Sequence, residues 1–161
     1  NIAIGGYALY SNTSESELVG VGNLALYSNT TGQMNTAVGN LAMYSNDSGS
    51  GNAALGYRAM QNNYSGGVNT AVGWYALYSN SEGSACTAIG NAALSSNNGS
   101  YNTAVGYNAS NSTISGASNT VIGAMAHSYN STGSYNVAVG QQAGQRVDDG
   151  SSPHCDAPCC R

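Results

Sequence analysis

Charge is scarce in this sequence, and two residue types are missing from it. Its 161 residues include no lysine and no phenylalanine, and three arginines stand against seven acidic residues, for a net charge of −4. With so few cations the sequence has no basic patch, so nucleic acid is not a predicted partner. No apolar run approaches the roughly 20 residues of a membrane span, and no span is predicted. A soluble monomer usually carries more surface charge, so the chain either assembles or is kept in solution by another means.

Catalytic motifs are missing as well. The sequence has no Gly-x-Ser-x-Gly elbow, no phosphate-binding loop and no pair of carboxylates on a defined face. The two histidines are His127 and His154. His127 stands where other copies of the repeat described below have Leu or Met, which indicates a packing or surface position rather than a base. We therefore predict no enzymatic activity, no cofactor and no metal site.

A motif close to Asn-Thr-Ala-Val-Gly occurs nine times. Seven of the eight intervals between its glycines are 17 residues long and one is 16. So short and regular a period is typical of one supersecondary unit stacked on copies of itself. We call each copy a coil and number its positions as slots 1 to 17, so that the glycine of the motif is slot 5. These glycines are Gly5, Gly22, Gly39, Gly56, Gly73, Gly90, Gly106, Gly123 and Gly140.

Several other slots are nearly constant. Slot 4 is aliphatic and slot 8 is alanine in all nine coils. Slot 9 is Leu or Met in the first six coils and then becomes Ser110, His127 and Gly144. Slot 15 is glycine in most coils, as at Gly32 and Gly49. Two glycines per coil predict two corners, because glycine takes φ > 0 without a Cβ clash.

The segments between these corners predict the fold. They are apolar, too short for helices, and rich in residues that favour strands. We predict an all-β fold, a parallel β-solenoid or β-roll of nine 17-residue coils with two short strands per coil, over residues 1–145. At about 4.8 Å per coil, nine coils form a rod about 43 Å long. Residues 146–161 are predicted to form a separate cysteine-rich C-terminal tail.

The order of the apolar slots predicts self-association. Slots 3 and 4 are both apolar, as are slots 8 and 9, and neighbouring residues in a strand point to opposite faces. One slender coil cannot bury both faces, so a second copy or the tail is expected to cover one of them. The first coil begins at Asn1 without a cap, and an open terminal coil offers unpaired backbone groups to another strand. We therefore expect subunits to stack head to tail into a filament.

Eight asparagines begin Asn-x-Ser/Thr sequences. Four of them, Asn12, Asn29, Asn46 and Asn63, occupy slot 12 of successive coils, and we predict that covalent glycans on them coat one edge of the rod. Such glycans would keep a weakly charged chain in solution. The alternative is that Asn, Ser and Thr recur there because they suit turns. The remaining four sequences begin at Asn98, Asn108, Asn111 and Asn130.

Two rows of like residues are expected along the rod, as in stacked cross-β structures. Slot 10 carries Tyr10, Tyr27, Tyr44 and Tyr78, and we expect their rings to stabilise this face or to offer a strip for sugar stacking or lateral packing. Slot 2 carries threonine in five coils, and regular threonine rows on flat solenoids order water. Only one threonine per coil, next to an apolar alanine, makes ice binding the less favoured hypothesis. The threonines are Thr36, Thr70, Thr87, Thr103 and Thr120.

Four cysteines, Cys86, Cys155, Cys159 and Cys160, predict disulfide bonds. A bridge between adjacent Cys159 and Cys160 would be strained, which leaves two intramolecular schemes that both join Cys86 to Cys159 or Cys160. The tail would then fold back over three coils, about 14 Å. The alternatives are bridges to a neighbouring subunit and a zinc site that includes His154. Because disulfides are typical of extracellular proteins, we expect a secreted or cell-surface location.

The motifs resemble those of two groups of proteins. Residues 35–39 and 69–73, which both read Asn-Thr-Ala-Val-Gly, are similar to the head repeats of trimeric autotransporter adhesins and to N-T-A-V-G repeats of tail-fibre-like proteins. The resemblance covers residues 1 to about 144 and implies a left-handed β-roll, trimeric in the adhesin case, displayed outside the cell. The residues themselves favour an extracellular structural protein, a subunit of a glycosylated, disulfide-locked filament. The alternative is a trimeric binding head that contacts sugars or host surfaces.

The first residue offers one further expectation. The sequence begins at Asn1 without a methionine or a signal peptide, and it is already in register with the repeat. We interpret it as a processed mature chain or as a segment of a longer one.

Overall fold

The structure is a computed structural model that describes residues 1–129, 131–145 and 154–156, the last three for the backbone only. It confirms the predicted parallel β-solenoid of nine 17-residue coils. Each coil contributes one three-residue strand to a single sheet, in which the strands follow chain order. The strands are Ile2–Ile4 (β1), Val19–Val21 (β2), Thr36–Val38 (β3), Ala53–Leu55 (β4), Thr70–Val72 (β5), Thr87–Ile89 (β6), Thr103–Val105 (β7), Thr120–Ile122 (β8), Val137–Val139 (β9) and His154–Asp156 (β10).

Like slots lie opposite one another throughout the sheet. All pairs are parallel, and Thr36 of β3 lies opposite Ala53 of β4. The single 16-residue interval keeps this register, with Thr87 opposite Thr103, so the missing residue falls in a turn and not in a strand. β10 continues the pattern on β9, again at a spacing of 17 residues. The described part of the predicted separate tail, β10, is therefore the tenth strand of the same sheet.

The strands alternate between the interior and the outside as expected for β structure. Slot 3 points inward, and Ala37, Ala71 and Ala104 are fully buried. Slots 2 and 4 point outward, as the partly exposed Val38 shows. The alanines leave room for the opposite wall of the coil to approach the sheet closely, which gives the rod its slender core.

Each coil holds one strand and not the predicted two. After slot 5 the chain makes a series of turns, and slots 7 and 9 have left-handed backbone, as at Leu24 (φ 59°) and Leu26 (φ 52°). The coils still exchange backbone hydrogen bonds here, for example from Leu26 N to Ala42 O at 3.0 Å. Because a turn does not alternate its side chains as a strand does, slots 8 and 9 both point inward. Ala25 and Leu26 are accordingly both buried, and the prediction that these slots lie on opposite faces is wrong.

The two conserved glycine slots have different physical causes. At slot 5 the backbone requires glycine, since Gly39 has φ 141° and a Cβ there would lie 2.3 Å from the carbonyl oxygen of Gly56. Slot 15 does not have positive φ. A Cβ on Gly49 would nevertheless lie 2.4 Å from the carbonyl oxygen of Gly66. Slot 15 therefore requires glycine because successive coils approach so closely that a side chain does not fit. The prediction of a positive-φ corner at this slot is wrong.

Candidate functional site

Asparagines of slot 12 form a ladder inside the solenoid. Asn46 Nδ2 donates to Asn29 Oδ1 at 2.7 Å and to the carbonyl oxygen of Gly49 at 3.0 Å. Asn63 repeats the pattern one coil later, with 2.7 Å to Asn46 Oδ1. From Asn46 onward, each side-chain amide thus donates one hydrogen bond to the asparagine of the preceding coil and one to the slot-15 carbonyl oxygen of its own coil. These bonds pair polar groups that would otherwise be buried without a partner. The members are Asn29, Asn46, Asn63, Asn80 and Asn97, all 0% exposed.

A second row of buried asparagines occupies slot 1 of six coils, directly before the strand. Asn35 Oδ1 accepts a hydrogen bond from Asn52 N at 2.9 Å, and Asn52 Nδ2 donates to the carbonyl oxygen of Gly66 at 2.9 Å. The side chain therefore ties the start of a strand to the next coil and to the slot-15 turn. The described members of this row are Asn35, Asn52, Asn69, Asn102, Asn119 and Asn136.

The buried ladder changes the interpretation of the Asn-x-Ser/Thr sequences. A glycan is joined to Nδ2, and in Asn29, Asn46 and Asn63 this atom donates to carbonyl oxygens in the interior. The predicted glycosylated edge is therefore wrong at these three positions. Asn98 is exposed, and its Oδ1 accepts from Ser81 Oγ at 2.8 Å. Asn12, Asn108 and Asn111 are half-buried, and Asn130 lies outside the described residues.

Cys86 takes the place of an asparagine in slot 1 and is buried. Its backbone N–H donates to Asn69 Oδ1 at 2.8 Å, as an asparagine would, and its thiol lies 3.2 Å from the carbonyl oxygen of Gly99. Burial raises the pKa of the thiol. The structure has Cys86 as a free cysteine, and its bridge to the tail stays a prediction, because the structure does not describe its possible partners. Cys155 belongs to β10, and Cys159 and Cys160 lie outside the described residues.

Slots 2 and 4 of the nine coils make up one continuous surface, which we call the outer face. It carries no charged residue, and aliphatic slot-4 side chains are well exposed on it, among them Ile4 at 59% and Leu55 at 52%. The slot-2 threonines share this face, where Thr36 is exposed and the others are half-buried. Within each strand their neighbours on the face are the slot-4 aliphatic residues, because the slot-3 alanines point inward. Across the sheet, Thr36 and Thr70 lie on either side of Ala53, which also belongs to the outer face.

The tyrosines of slot 10 stack in the first three coils. The rings of Tyr10 and Tyr27 lie 5.1 Å apart with a 3° interplanar angle, and those of Tyr27 and Tyr44 lie 5.1 Å apart with a 9° angle. Tyr78, beyond the break at slot 10 of coil 4, packs instead on Tyr75 at 4.8 Å. Three of the four predicted residues thus form one stack, and the fourth belongs to a different aromatic cluster.

That cluster is centred on slots 6 and 7 of coils 4 and 5, with Tyr78 of slot 10 at its edge, and its slot-6 and slot-7 residues were not predicted as a site from the sequence. Trp74 stacks on Tyr57 at 6.4 Å and meets Tyr75 edge-on at 4.6 Å. Arg58 lies over the rings of Tyr57 and Tyr75 at 5.2 and 5.6 Å, a cation–π arrangement. The signal in the sequence was the pairing of two unusual dipeptides, Tyr57-Arg58 and Trp74-Tyr75, at the same two slots of adjacent coils.

His127 occupies a packing position. It fills slot 9 of coil 8, is buried, and has its pKa lowered by that burial. Within the described part of the chain, no three His, Cys, Asp or Glu side chains come together as a metal site would need. The same residues contain no helix long and apolar enough to cross a membrane. No protein-family model, curated protein or solved structure matches this chain.

Proposed function

We propose that this chain is an extracellular structural protein whose solenoids associate with copies of themselves. The outer face carries the proposal, because it extends an uncharged row of aliphatic side chains along all nine coils. Ile89, Ile122 and Val139 are 40%, 44% and 40% exposed on it. Contiguous apolar surfaces of this kind mark interaction sites in soluble proteins.

The apolar row is large enough to offset the cost of association. Full burial of a Val, Leu or Ile side chain contributes about 1.5–3 kcal/mol. Covering the exposed parts of the nine slot-4 side chains, five of them exposed and four half-buried, therefore contributes on the order of 10 kcal/mol or somewhat less. The loss of translational and rotational freedom costs about 4–15 kcal/mol. The two quantities are comparable, so additional contacts made by the slot-2 side chains would determine how tightly the copies bind.

End-to-end contacts complete the proposed filament. Among the described strands, β1 pairs only with β2 and β10 only with β9, and every pair in the sheet is parallel. Edge strands pair readily with other strands, so a strand of another copy could add in the same parallel geometry. In such an assembly the strand edges lengthen the rod, while the outer face joins rods side by side.

The extracellular location rests on composition and resemblance. The chain has no lysine and a net charge of −4, and Asn98 offers one exposed glycan acceptor in place of the continuous edge. A trimeric binding head is the alternative function. It is favoured by the same outer face, which would fill the centre of a trimer and leave the aromatic cluster to contact a ligand.

The test is the mass of the native chain in solution. We expect light scattering after size-exclusion chromatography to show multimers, and negative-stain electron microscopy to show rods longer than one solenoid. The double variant Ile89→Glu, Ile122→Glu should shift the mass to that of a monomer. Ile114→Glu is the matched control, because Ile114 is 58% exposed and lies in slot 13, outside the slots that make up the outer face. A wild-type monomer at all concentrations overturns the proposal, and discrete trimers support the binding head.

A further inference from the structure

The slot-6 aromatic row has a gap at coil 6. Tyr57, Trp74 and Tyr107 occupy slot 6 of coils 4, 5 and 7, and all three are exposed, Trp74 at 52%. Coil 6 carries the short side chain of Asn91 in slot 6 and Ala92 in slot 7. One position between two large exposed aromatic side chains is therefore left open to solvent.

Trp74 is held rigidly on one side of this gap. Its ring stacks on Tyr57 with an interplanar angle of 20°, so its other face is turned towards coil 6. Tyr75 supports it edge-on at 82°, and Arg58 Nη1 donates to Tyr75 Oη at 2.9 Å. The tryptophan face is thus fixed before any ligand arrives, which lowers the entropic cost of binding.

The backbone fixes the width of the gap. Ala92 N donates to the carbonyl oxygen of Trp74 at 2.8 Å, and Asn108 N donates to that of Asn91 at 2.9 Å. Coils 5, 6 and 7 are therefore stacked directly at this corner, and the backbones of Trp74 and Tyr107 lie two coil steps apart, about 9.6 Å. A six-membered ring in van der Waals contact with a surface on each side needs about 7–8 Å. One ring fits between the two side chains.

We propose that this gap binds a neutral pyranose unit of a saccharide. A pyranose ring presents C–H groups on its faces, which pack on aromatic rings, and hydroxyl groups around its edge. Asn91 is the half-buried slot-6 residue of the intervening coil, and its side-chain amide makes no hydrogen bond to the described part of the chain, so its oxygen and nitrogen are available to hydroxyls. Polar groups of this kind fix the orientation of a ligand between apolar walls.

Charge argues against the other flat ligands. Slots 6 and 7 of coils 4 to 7 contain one cation, Arg58, and no carboxylate. A nucleic acid strand needs several phosphate contacts to bind, and a cationic ligand would approach a guanidinium already placed over Tyr57. A neutral polyhydroxyl ring meets neither problem. This proposal uses the monomer alone and does not depend on the self-association proposed above.

Trp74 is the single tryptophan of the chain, so its fluorescence reports on the site directly. We would titrate the full chain with cellohexaose, maltohexaose and mannohexaose and follow the emission spectrum. Saturable quenching or a blue shift with at least one of these probes is the expected result. No change with any of the three up to about 10 mM, a concentration at which even weak binding of millimolar Kd is detected, overturns the proposal.

Variants measured by titration calorimetry then locate the site. Trp74→Ala should weaken binding about tenfold or more, and Asn91→Tyr should abolish it by filling the gap with an aromatic side chain. Asn23→Tyr makes the same change at slot 6 of coil 2 and should leave the affinity unchanged. Equal affinities of all variants would overturn the assignment. A change of mass in light scattering with Trp74→Ala would also overturn it, because a second copy would then occupy the surface.

Discussion

Asn46 donates its amide to the Oδ1 of Asn29 across 2.7 Å, one coil apart and fully inside the solenoid. Polar side chains therefore run through the centre of this rod as a continuous ladder beside its alanines and leucines. An interior of this type depends on every member being satisfied, since a buried group that loses its partner retains the whole cost of its desolvation.

Removing one member of the ladder should destabilise the protein strongly. In Asn63→Ala, Asn46 Oδ1 loses its donor and Asn80 Nδ2 loses its acceptor. We expect the free energy of unfolding in urea to fall by about 2–4 kcal/mol. Asn23→Ala is the control, because Asn23 is exposed and its side chain makes no hydrogen bond to the described residues, and it should cost less than about 0.5 kcal/mol. Equal effects of the two substitutions would contradict the buried ladder.

The placement of the ladder also predicts where glycans are absent. We expect peptide mapping by mass spectrometry, on chain secreted from a eukaryotic host, to find unmodified Asn29, Asn46 and Asn63. Asn98 is the position where occupancy is expected, because its side chain is exposed. A glycan on Asn46 in a correctly folded chain would show that the interior described here is wrong.

Two glycines of one coil should respond differently to the same substitution. Gly39→Ala places a Cβ 2.3 Å from a carbonyl oxygen, at φ 141°, and we expect a loss of more than about 3 kcal/mol or failure to fold. Gly51→Ala meets no atom closer than 3.8 Å at φ 69°, and other coils carry Met34 or Val68 at this slot with similar φ. Its cost should be about 1 kcal/mol. Circular dichroism and urea unfolding measure both, and a well-tolerated Gly39→Ala would argue against the observed coil spacing.

Stability should fall in mild acid because of His127. Burial lowers its pKa in the folded chain, whereas the unfolded chain takes up the proton near pH 6.5. The unfolded state then binds more protons, so stability decreases as the pH falls below about 6.5, by at most about 1.4 kcal/mol per pH unit. His127→Leu, which restores the side chain of earlier coils, should remove this part of the dependence. Urea midpoints at pH 7.5 and 5 would show it, and identical slopes for both proteins would contradict the assignment.

The sequence was sufficient for the architecture because the glycine spacing fixes how many residues make one coil. It was not sufficient for the second half of the coil. Leu26 and Ala25 look like neighbours in a strand, yet the left-handed backbone of Leu26 turns both inward. Strand alternation is the usual expectation for short apolar segments, and only the three-dimensional path of the turn corrects it.

The candidate sites were harder to predict, for a related reason. Asn46 fits the pattern of a glycan acceptor equally well whether its amide points out or in, and its direction depends on the carbonyl of Gly49. Trp74 and Tyr107 are 33 residues apart in the chain. They flank one open position because both occupy slot 6 and the coil between them carries the smaller Asn91 there. Contacts between coils, which no single repeat contains, decide both cases.

The loss of Leu and Met from slot 9 in the last three coils should make one end of the rod mechanically weaker than the other. Leu26, Met43 and Leu77 fill the centre of early coils, whereas Ser110 and Gly144 leave later coils with less apolar volume. In a stack where each coil contacts only its neighbours, local opening begins at the weakest members. A pulling force applied along the axis should therefore separate coils on the C-terminal side, from β7 onward, before those of the β2–β6 segment, which keeps its length under load.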